Sequence, residues 1–387
     1  MNIFVAADTI ISPLGFSSFE NFESLKKAQT GIACYSDSEL STSPIWLSKI
    51  DSDKIESKIE EFKTKQQFTR LEKLVLLAIQ GVLDQNKTIN IYSKRTLLIL
   101  STTKGNIDLL GQSQHSNFAK DRVHLWKLGE VIKDYFGFFN TTLLISNACI
   151  SGVLAIVLGK RLLEEKAYDT ILVAGVDILS RFVISGFRSF DALSDEICKP
   201  YDASRNGISL GEAAACMALT TNEELVKEAE KICVFGGASS NDANHISGPS
   251  RTGDGLLLAI EKTLSEAKVL PSEINYISGH GTATFFNDEM ESLAINAANL
   301  GSVPMNSLKG YYGHTLGAAG ILESVIAIHS LRENTLIGSY NFKEAGTSKP
   351  LNIIKQTTKA TLTNALKTAV GFGGCNAAVL FQKQKQQ

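Results

Sequence analysis

Short runs of β-branched and aliphatic residues alternate with helical patterns along this chain of 387 residues, and the order of the parts repeats. The runs Asn2–Ala6, Arg95–Leu100, Thr141–Ile145, Thr170–Ala174 and Ala213–Thr220 read as strands. So do Ile232–Ala238, Tyr276–Ser278, Val303–Met305, Thr368–Gly371 and Ala377–Phe381. Helices are predicted over Phe19–Ala28, Thr69–Gln85, Ser151–Glu165, Gly253–Ala267, Asp288–Asn296 and Ala318–Asn334. Such alternation predicts an α/β fold with largely parallel, buried strands. Gly211–Ala215 and Gly371–Ala378 read as tight turns that feed the final strands.

The repeat divides the chain into two α/β halves, 1–222 and 223–387. In the first, two strands precede Thr141–Ile145, which leads to Cys149 and a helix. In the second, two strands precede Val303–Met305, which leads to "GHTLGAAG" and a helix. Cys149 and His314 would then occupy equivalent strand-to-helix corners, and two such corners can converge on one site. Residue identity between the halves is low, so the order of elements carries this inference. The polar stretch Tyr35–Lys65 reads as surface excursions on the first half.

Composition excludes several functions. The formal net charge is −2, so there is no general attraction to nucleic acid or anionic lipid. The six cysteines form no CxxC pair and no cluster with histidine at zinc-ligand spacing, so no metal is expected. The start "MNIFVAADTIISPLG" has no basic segment before its apolar stretch, which argues against a secretory leader. No apolar run approaches the length of a membrane span. A cytoplasmic location with reduced thiols is the resulting expectation.

The chemistry centres on "ISNACISG", "SGHGTATFFNDEMES" and "NSLKGYYGHTLGAAG", which carry Cys149, His280 and His314. Taken alone, the first stretch is balanced between a buried core thiol and a nucleophile. A lone loop histidine is also more often structural. Two glycine-flanked histidines at strand ends, with a cysteine at a helix N-terminus, reverse that balance. The unpaired N–H groups and partial positive charge of a helix N-terminus favour a thiolate and can bind an oxyanion.

The motifs "NACISG", "HGTAT…D..E", "K…GH..GAAG" and "GFGGCNAAVLF", together with "LSDEICKPYDASRNGISLGEAAA", resemble those of the β-ketoacyl synthases of fatty acid and polyketide assembly. The resemblance runs from about Ser12 to Phe381. It implies the thiolase fold, five layers α-β-α-β-α from two duplicated halves. It also implies decarboxylative Claisen condensation by a Cys-His-His triad without a cofactor. Cys149 matches the nucleophile that takes an acyl chain from a carrier-protein or coenzyme A thioester. His280 and His314 match the pair that binds the malonyl thioester carbonyl, and Lys309 the lysine that orders the second histidine's loop. Asp288 and Glu291 fit supporting acidic positions. The backbone N–H groups of Cys149 and Phe372 match an oxyanion hole, and Phe372 an aromatic gate to the acyl pocket. The implied partners are acyl carrier protein and a second subunit, either the same chain or a ketosynthase-like paralogue.

The pattern departs from the family at several points. Asn147 and Cys375 stand where threonine is usual, and Phe285-Phe286-Asn287 where small or polar residues are common. These changes point to a specialised synthase, in which Asn147 and Ile150 flank an unusual acyl pocket. Phe285 and Phe286 fit an acyl channel, a subunit contact or plain core packing. Cys375 is read as a small packed residue. Lys104 falls near the base of the family's acyl pocket, where it would meet a polar or aromatic acyl end; a solvated loop lysine is the plainer reading. A thiolase would need a Cys-His-Cys site, and a non-catalytic chain-length subunit typically lacks the nucleophile.

Overall fold

The computed structural model describes residues 1–111, 117–226, 231–242 and 248–384. The first half contributes five strands to the main sheet: β1 (Phe4–Ile11), β2 (Thr96–Ser101), β3 (Leu143–Ile145), β4 (Thr170–Asp177) and β5 (Ala213–Thr220). The second contributes β6 (Ile232–Asn241), β7 (Tyr276–Ser278), β8 (Met305–Asn306), β9 (Asn364–Gly371) and β10 (Cys375–Lys383). The spatial order is β8-β7-β9-β10-β6-β1-β5-β4-β2-β3. Outward from its middle, the sheet runs through the same sequence of strands in both directions. In each half the two outer pairings are parallel, β4-β2-β3 and β9-β7-β8. The inner ones are antiparallel, β1-β5-β4 and β6-β10-β9. The halves join where Phe4 pairs with Cys233, and the Val234 amide donates to the Ile3 carbonyl at 2.8 Å.

Six helices repeat with the strands: α1 (Arg70–Gln85), α2 (Leu125–Phe136) and α3 (Ser151–Glu164), then α4 (Asp254–Ala267), α5 (Phe285–Ala297) and α6 (Ala319–Glu333). α3 and α6 are rich in small and aliphatic residues, and α6 is buried almost all round. A helix without a polar face belongs between sheets. Its core therefore joins α3 and α6 to inward-facing residues of both halves, such as Val173, Met217, Val379 and Phe381. α1 and α2 cover the outer face of the first half around Leu98, Leu100 and Leu172. α4 and α5 cover the second around Ile277, Leu366 and Leu380. The result is the five-layered thiolase fold with duplicated halves.

α3 and α6 touch through backbone. A β-carbon added at Gly152 would lie 2.8 Å from Ile321 N, and one at Gly320 only 2.4 Å from Val153 N. Glycine at both positions lets the helices approach this closely.

The positions of strands and helices hold with shifted ends, but the sheet is mixed rather than largely parallel, because the inner strands of each half pair antiparallel. The first strand continues through Asp8 to Ile11, and β9 begins four residues before the expected Thr368. α1 starts one residue after Thr69, which caps it in a reciprocal box with Glu72. The stretch Tyr35–Lys65 is more ordered than expected. It holds the strand Ile45–Ser48, paired with Ile32–Tyr35, and the helix Ser52–Glu60. Gly211 is no tight turn: it pairs with Ser48 in that small sheet, whereas Gly373 and Gly374 do turn β9 into β10. Among the described residues the periodicity reading missed Ser52–Glu60, α2, Arg181–Ser189 and the single helical turn Lys309–Tyr312.

Candidate active site

Cys149 ends a tight turn between β3 and α3, immediately before the helix cap Ile150. The Ser151 hydroxyl organises this turn. It accepts from the Asn147 amide at 2.8 Å and donates to the Ala148 carbonyl at 2.6 Å. Ala148 takes the left-handed conformation, φ +43°. His314 occupies the matching corner between β8 and α6. Its amide donates to the Ser209 carbonyl at 2.7 Å, and its carbonyl accepts from Gly211 at 3.1 Å. At Gly313, φ +64°, the backbone runs so close to Leu210 that a β-carbon would collide.

The two corners converge. His314 Nε2 lies 2.9 Å from Cys149 Sγ, and the His280 ring stands edge-on to His314 at 5.4 Å between centroids. His280 follows β7 and is held by buried carboxylates on α5. Glu291 accepts from the His280 and Gly281 amides at 2.7 and 2.8 Å, and from the Tyr201 and Thr368 hydroxyls. Asp288 accepts from the Thr282 and Tyr201 amides. Burial pushes the Asp288 carboxyl up to about 6, against the Tyr201 hydrogen bond and the Arg205 charge.

Beneath the histidines lies a buried ion triad. Glu323 of α6 pairs with Lys309 at 2.5 Å and, through its other oxygen, with Lys367 of β9. Burial holds both imidazoles well below the usual histidine range. Lys309, His314 and Lys367 add to this at His280, and Lys309, Lys104 and Lys367 at His314. Both are therefore neutral at neutral pH.

Burial also corrects the expectation of a resting thiolate. It pushes the Cys149 thiol up to about 12, with Cys375 acting in the same direction and Lys104 and Lys309 against it. At rest the pair is a neutral thiol beside a neutral imidazole.

A cavity of about 600 Å³ opens onto Cys149, His280 and His314. Phe372, 40% exposed, stands in its wall and packs on Phe187 of the helix Arg181–Ser189 and on Phe190, which caps that helix. Phe285 and Phe286 also line the cavity and are well exposed, with the Arg205 guanidinium over the Phe285 ring. Their exposure rules out core packing. A β-carbon added at Gly371 would lie 3.0 Å from the Cys149 amide nitrogen, so Phe372 follows close beside the nucleophile's backbone.

Two expected pocket residues do not border this cavity. Ile150 packs in the central core, where its aliphatic side chain is buried beneath α3. Lys104 is half-buried beyond β2, where its ammonium donates to the Thr103 hydroxyl at 3.0 Å and projects positive charge toward Cys149 and His314. Cys375 is buried and directed at the Phe372 and Asn147 carbonyls, outside the cavity. Glu323, Lys367 and Phe187 are functional neighbours that the motifs did not reveal. Among the described residues no group of three or more His, Cys, Asp or Glu side chains could hold a metal ion. No described helix is long and apolar enough to cross a membrane.

Two central helices bring a cysteine and a histidine together from duplicated corners of a thiolase fold. The chain belongs to the β-ketoacyl synthase family. Residues 131–225 match the model of the β-ketoacyl synthase N-terminal domain and 232–343 that of the C-terminal domain, together slightly more than half of the chain. The chain is 28% identical over 252 residues to 3-oxoacyl-[acyl-carrier-protein] synthase 2 of Coxiella burnetii, across 62% of this chain and 61% of that protein. It is 28% identical over 263 residues to the polyketide biosynthesis malonyl-ACP decarboxylase PksF of Bacillus subtilis, across 65% of this chain and 63% of that one. The match thus spans less than two thirds of these relatives' length. In structure it resembles, at TM-score 0.88 and 27% identity, a chain of the ketosynthase ApeO in complex with its chain length factor ApeC from Xenorhabdus doucetiae. That match covers 99% of this chain and 98% of the other.

Proposed function

We propose that this chain is a β-ketoacyl synthase that joins an acyl group held on Cys149 to a malonyl unit with loss of CO2. The 2.9 Å contact between Cys149 Sγ and His314 Nε2, at a cavity that His280 also lines, is the observation that carries this reading.

In the first step Cys149 Sγ attacks an acyl thioester while its proton passes to His314 Nε2. The carrier thiolate leaves and regains that proton. One thioester replaces another, so the acyl group stays activated. The backbone N–H groups of Cys149 and Phe372 act as the oxyanion hole, which the adjacency of Gly371 to the Cys149 amide supports. In the second step the bond from malonyl carbon to its carboxylate breaks and CO2 departs. Neutral His280 donates an N–H bond to the enolate oxygen, and His314 joins it once its single proton has moved from Nδ1 to Nε2. The carbanion attacks the acyl carbon, the Cys149 thiolate leaves, and one proton is taken up to restore the thiol. Lys309 fixes the His314 loop, Asp288 and Glu291 fix the His280 loop, and Phe372 gates the chain. A relative named as a malonyl-ACP decarboxylase supports the decarboxylation half.

Lys104 meets the far end of the acyl chain beyond Cys149, while Ile150 stays packed in the core and out of the chain's path. The division at 222/223 follows the mirrored strand order. The carrier protein approaches the aromatic rim, and a second subunit, a copy or a paralogue, adds to the β3 edge. There Leu143 is exposed, whereas β8 is covered by Asn352–Ile354. A cytoplasmic location fits substrates carried on phosphopantetheine. A thiolase reading needs a second cysteine in the cavity, and Cys375 does not line it. A chain-length subunit has no need of a thiol poised on an imidazole.

Incubation with acyl- and malonyl-loaded carrier proteins, read by intact mass, tests this. Acyl transfer onto the protein should vanish in Cys149→Ala, and CO2 release should fall at least 100-fold in His280→Ala. Acylation that survives in Cys149→Ala removes the nucleophile assignment.

A further inference from the structure

We infer that Lys367 is a positioning residue for His280 in this condensing site, holding the strand end that carries the imidazole and placing a second buried cation behind the histidine pair. This rests on the function proposed above. A fully buried ammonium is strongly disfavoured unless paired. Lys367 is fully buried, and the carboxylate it pairs with, Glu323, is shared with Lys309. Two cations thus share one directly paired carboxylate, with Glu291 acting on Lys367 from farther off. One lysine would satisfy a structural ion pair.

The remaining bonds of Lys367 point to His280. Lys367 lies opposite Ser278 in the β7–β9 register. Its Nζ donates to the Gly279 carbonyl at 3.1 Å and the Ser278 carbonyl at 3.3 Å, the two residues before His280. On the other side of the loop Glu291 takes the His280 and Gly281 amides, and the Ser307 hydroxyl donates to the Gly281 carbonyl at 2.7 Å. Lys367 thus completes the grip on the peptides that set the imidazole's height.

The charge has a second consequence. The ionisable groups around the two imidazoles are Cys149, Lys104, Lys309, Lys367, Glu323 and Glu291, with Asp177 and Asp288 behind them. The carboxylates are already committed: Glu291 and Asp288 to backbone amides, Glu323 to two lysines, and Asp177 to Thr102, Thr103 and Gly317. The charges that act most strongly on both imidazoles are nevertheless cationic, Lys309 and Lys367. A positive field resists protonation of an imidazole and favours the negative charge that builds on a decarboxylating malonyl thioester.

The sign of the pH effect follows. Protonated His280 or His314 loses its role, so activity has an acid limb. Lys367 keeps that limb at low pH, and removing its charge moves the limb to higher pH. The test compares wild type with Lys367→Met in two measurements. NMR titration of the histidine rings, assigned with His280→Gln, should show the His280 protonation midpoint rise by about one pH unit in Lys367→Met. With malonyl-coenzyme A as probe, kcat for CO2 release at pH 7 should fall about tenfold or more with little change in KM, while acylation of Cys149 stays within about twofold. An unmoved midpoint, or an equal fall in both half-reactions, overturns the inference. Lys367→Gln is read the same way if the methionine variant does not fold. The NMR arm needs no substrate. A shifted midpoint in a wild-type protein that never decarboxylates malonyl thioesters would defeat the proposed function and leave the electrostatic coupling standing.

Discussion

Gly320→Ala is the sharpest test of how the site is built. The added β-carbon would lie 2.4 Å from Val153 N and 2.9 Å from the Gly152 carbonyl carbon and Val153 Cγ2. These are mostly backbone atoms, so no side chain can swing aside. Ordinary contact needs α3 and α6 to part by about 1 Å. Cys149 precedes α3 and His314 precedes α6, so the displacement falls on the 2.9 Å Sγ–Nε2 contact. Stretched toward 4 Å, that contact no longer transfers a proton. A misplacement of about 1 Å is worth about 100-fold in rate, and overpacking about 1–3 kcal/mol of stability. The assay is the rate of Cys149 acylation by a short acyl thioester, read by quenched-flow intact mass, alongside a denaturant titration. Gly186→Ala is the control, since a β-carbon there meets nothing within 4 Å. Acylation within threefold of wild type in folded Gly320→Ala would refute the idea that backbone contact sets the cysteine–histidine distance.

Two further outcomes are expected. Lys104→Met should change the preference among acyl thioesters with polar and apolar ends by at least fivefold in competition assays; unchanged preference removes Lys104 from the acyl path. Glu291→Gln turns an acceptor toward donors at His280, Gly281, Tyr201 and Thr368, so unfolding free energy should drop by about 3 kcal/mol in denaturant melts and decarboxylation should fall with it.

Glycine-flanked corners made much of the site legible in the sequence. Cys149, His280, His314 and Lys309 stand in loops of small residues after apolar runs, and backbone that must approach a ligand leaves that trace. The residues that tune them leave none. Glu323 lies within an apolar helical pattern, where one acid per few turns reads as a solvent-facing position. Lys367 sits in a strand whose expected start, Thr368, excluded it by one residue. A lysine in a strand reads as the polar side of an alternating pattern unless both faces are known to be covered. Burial of the thiol was equally hidden. The helix N-terminus was readable and argued for a thiolate, but desolvation by both sheets and α6 is a property of the assembled layers. The helices α2 and Arg181–Ser189 carry a clear helical period, with Leu128, Val131, Ile132 and Phe136 buried in one and Val183, Ile184 and Phe187 in the other, so they were legible and were passed over.

The conformation of Ala148 sets one limit on how this protein can change. A residue with a β-carbon at φ +43° is held there at a cost of about 1–2 kcal/mol. The Ser151 hydrogen bonds and the packed helix behind it maintain that conformation. Selection for robustness alone would favour glycine at this position and would also loosen the peptide that aims the sulfur. The most heat-resistant form of this turn and its fastest form are therefore different sequences. Adaptation to a hotter environment would have to find its stability elsewhere, in the outer helices and loops, and leave this corner strained.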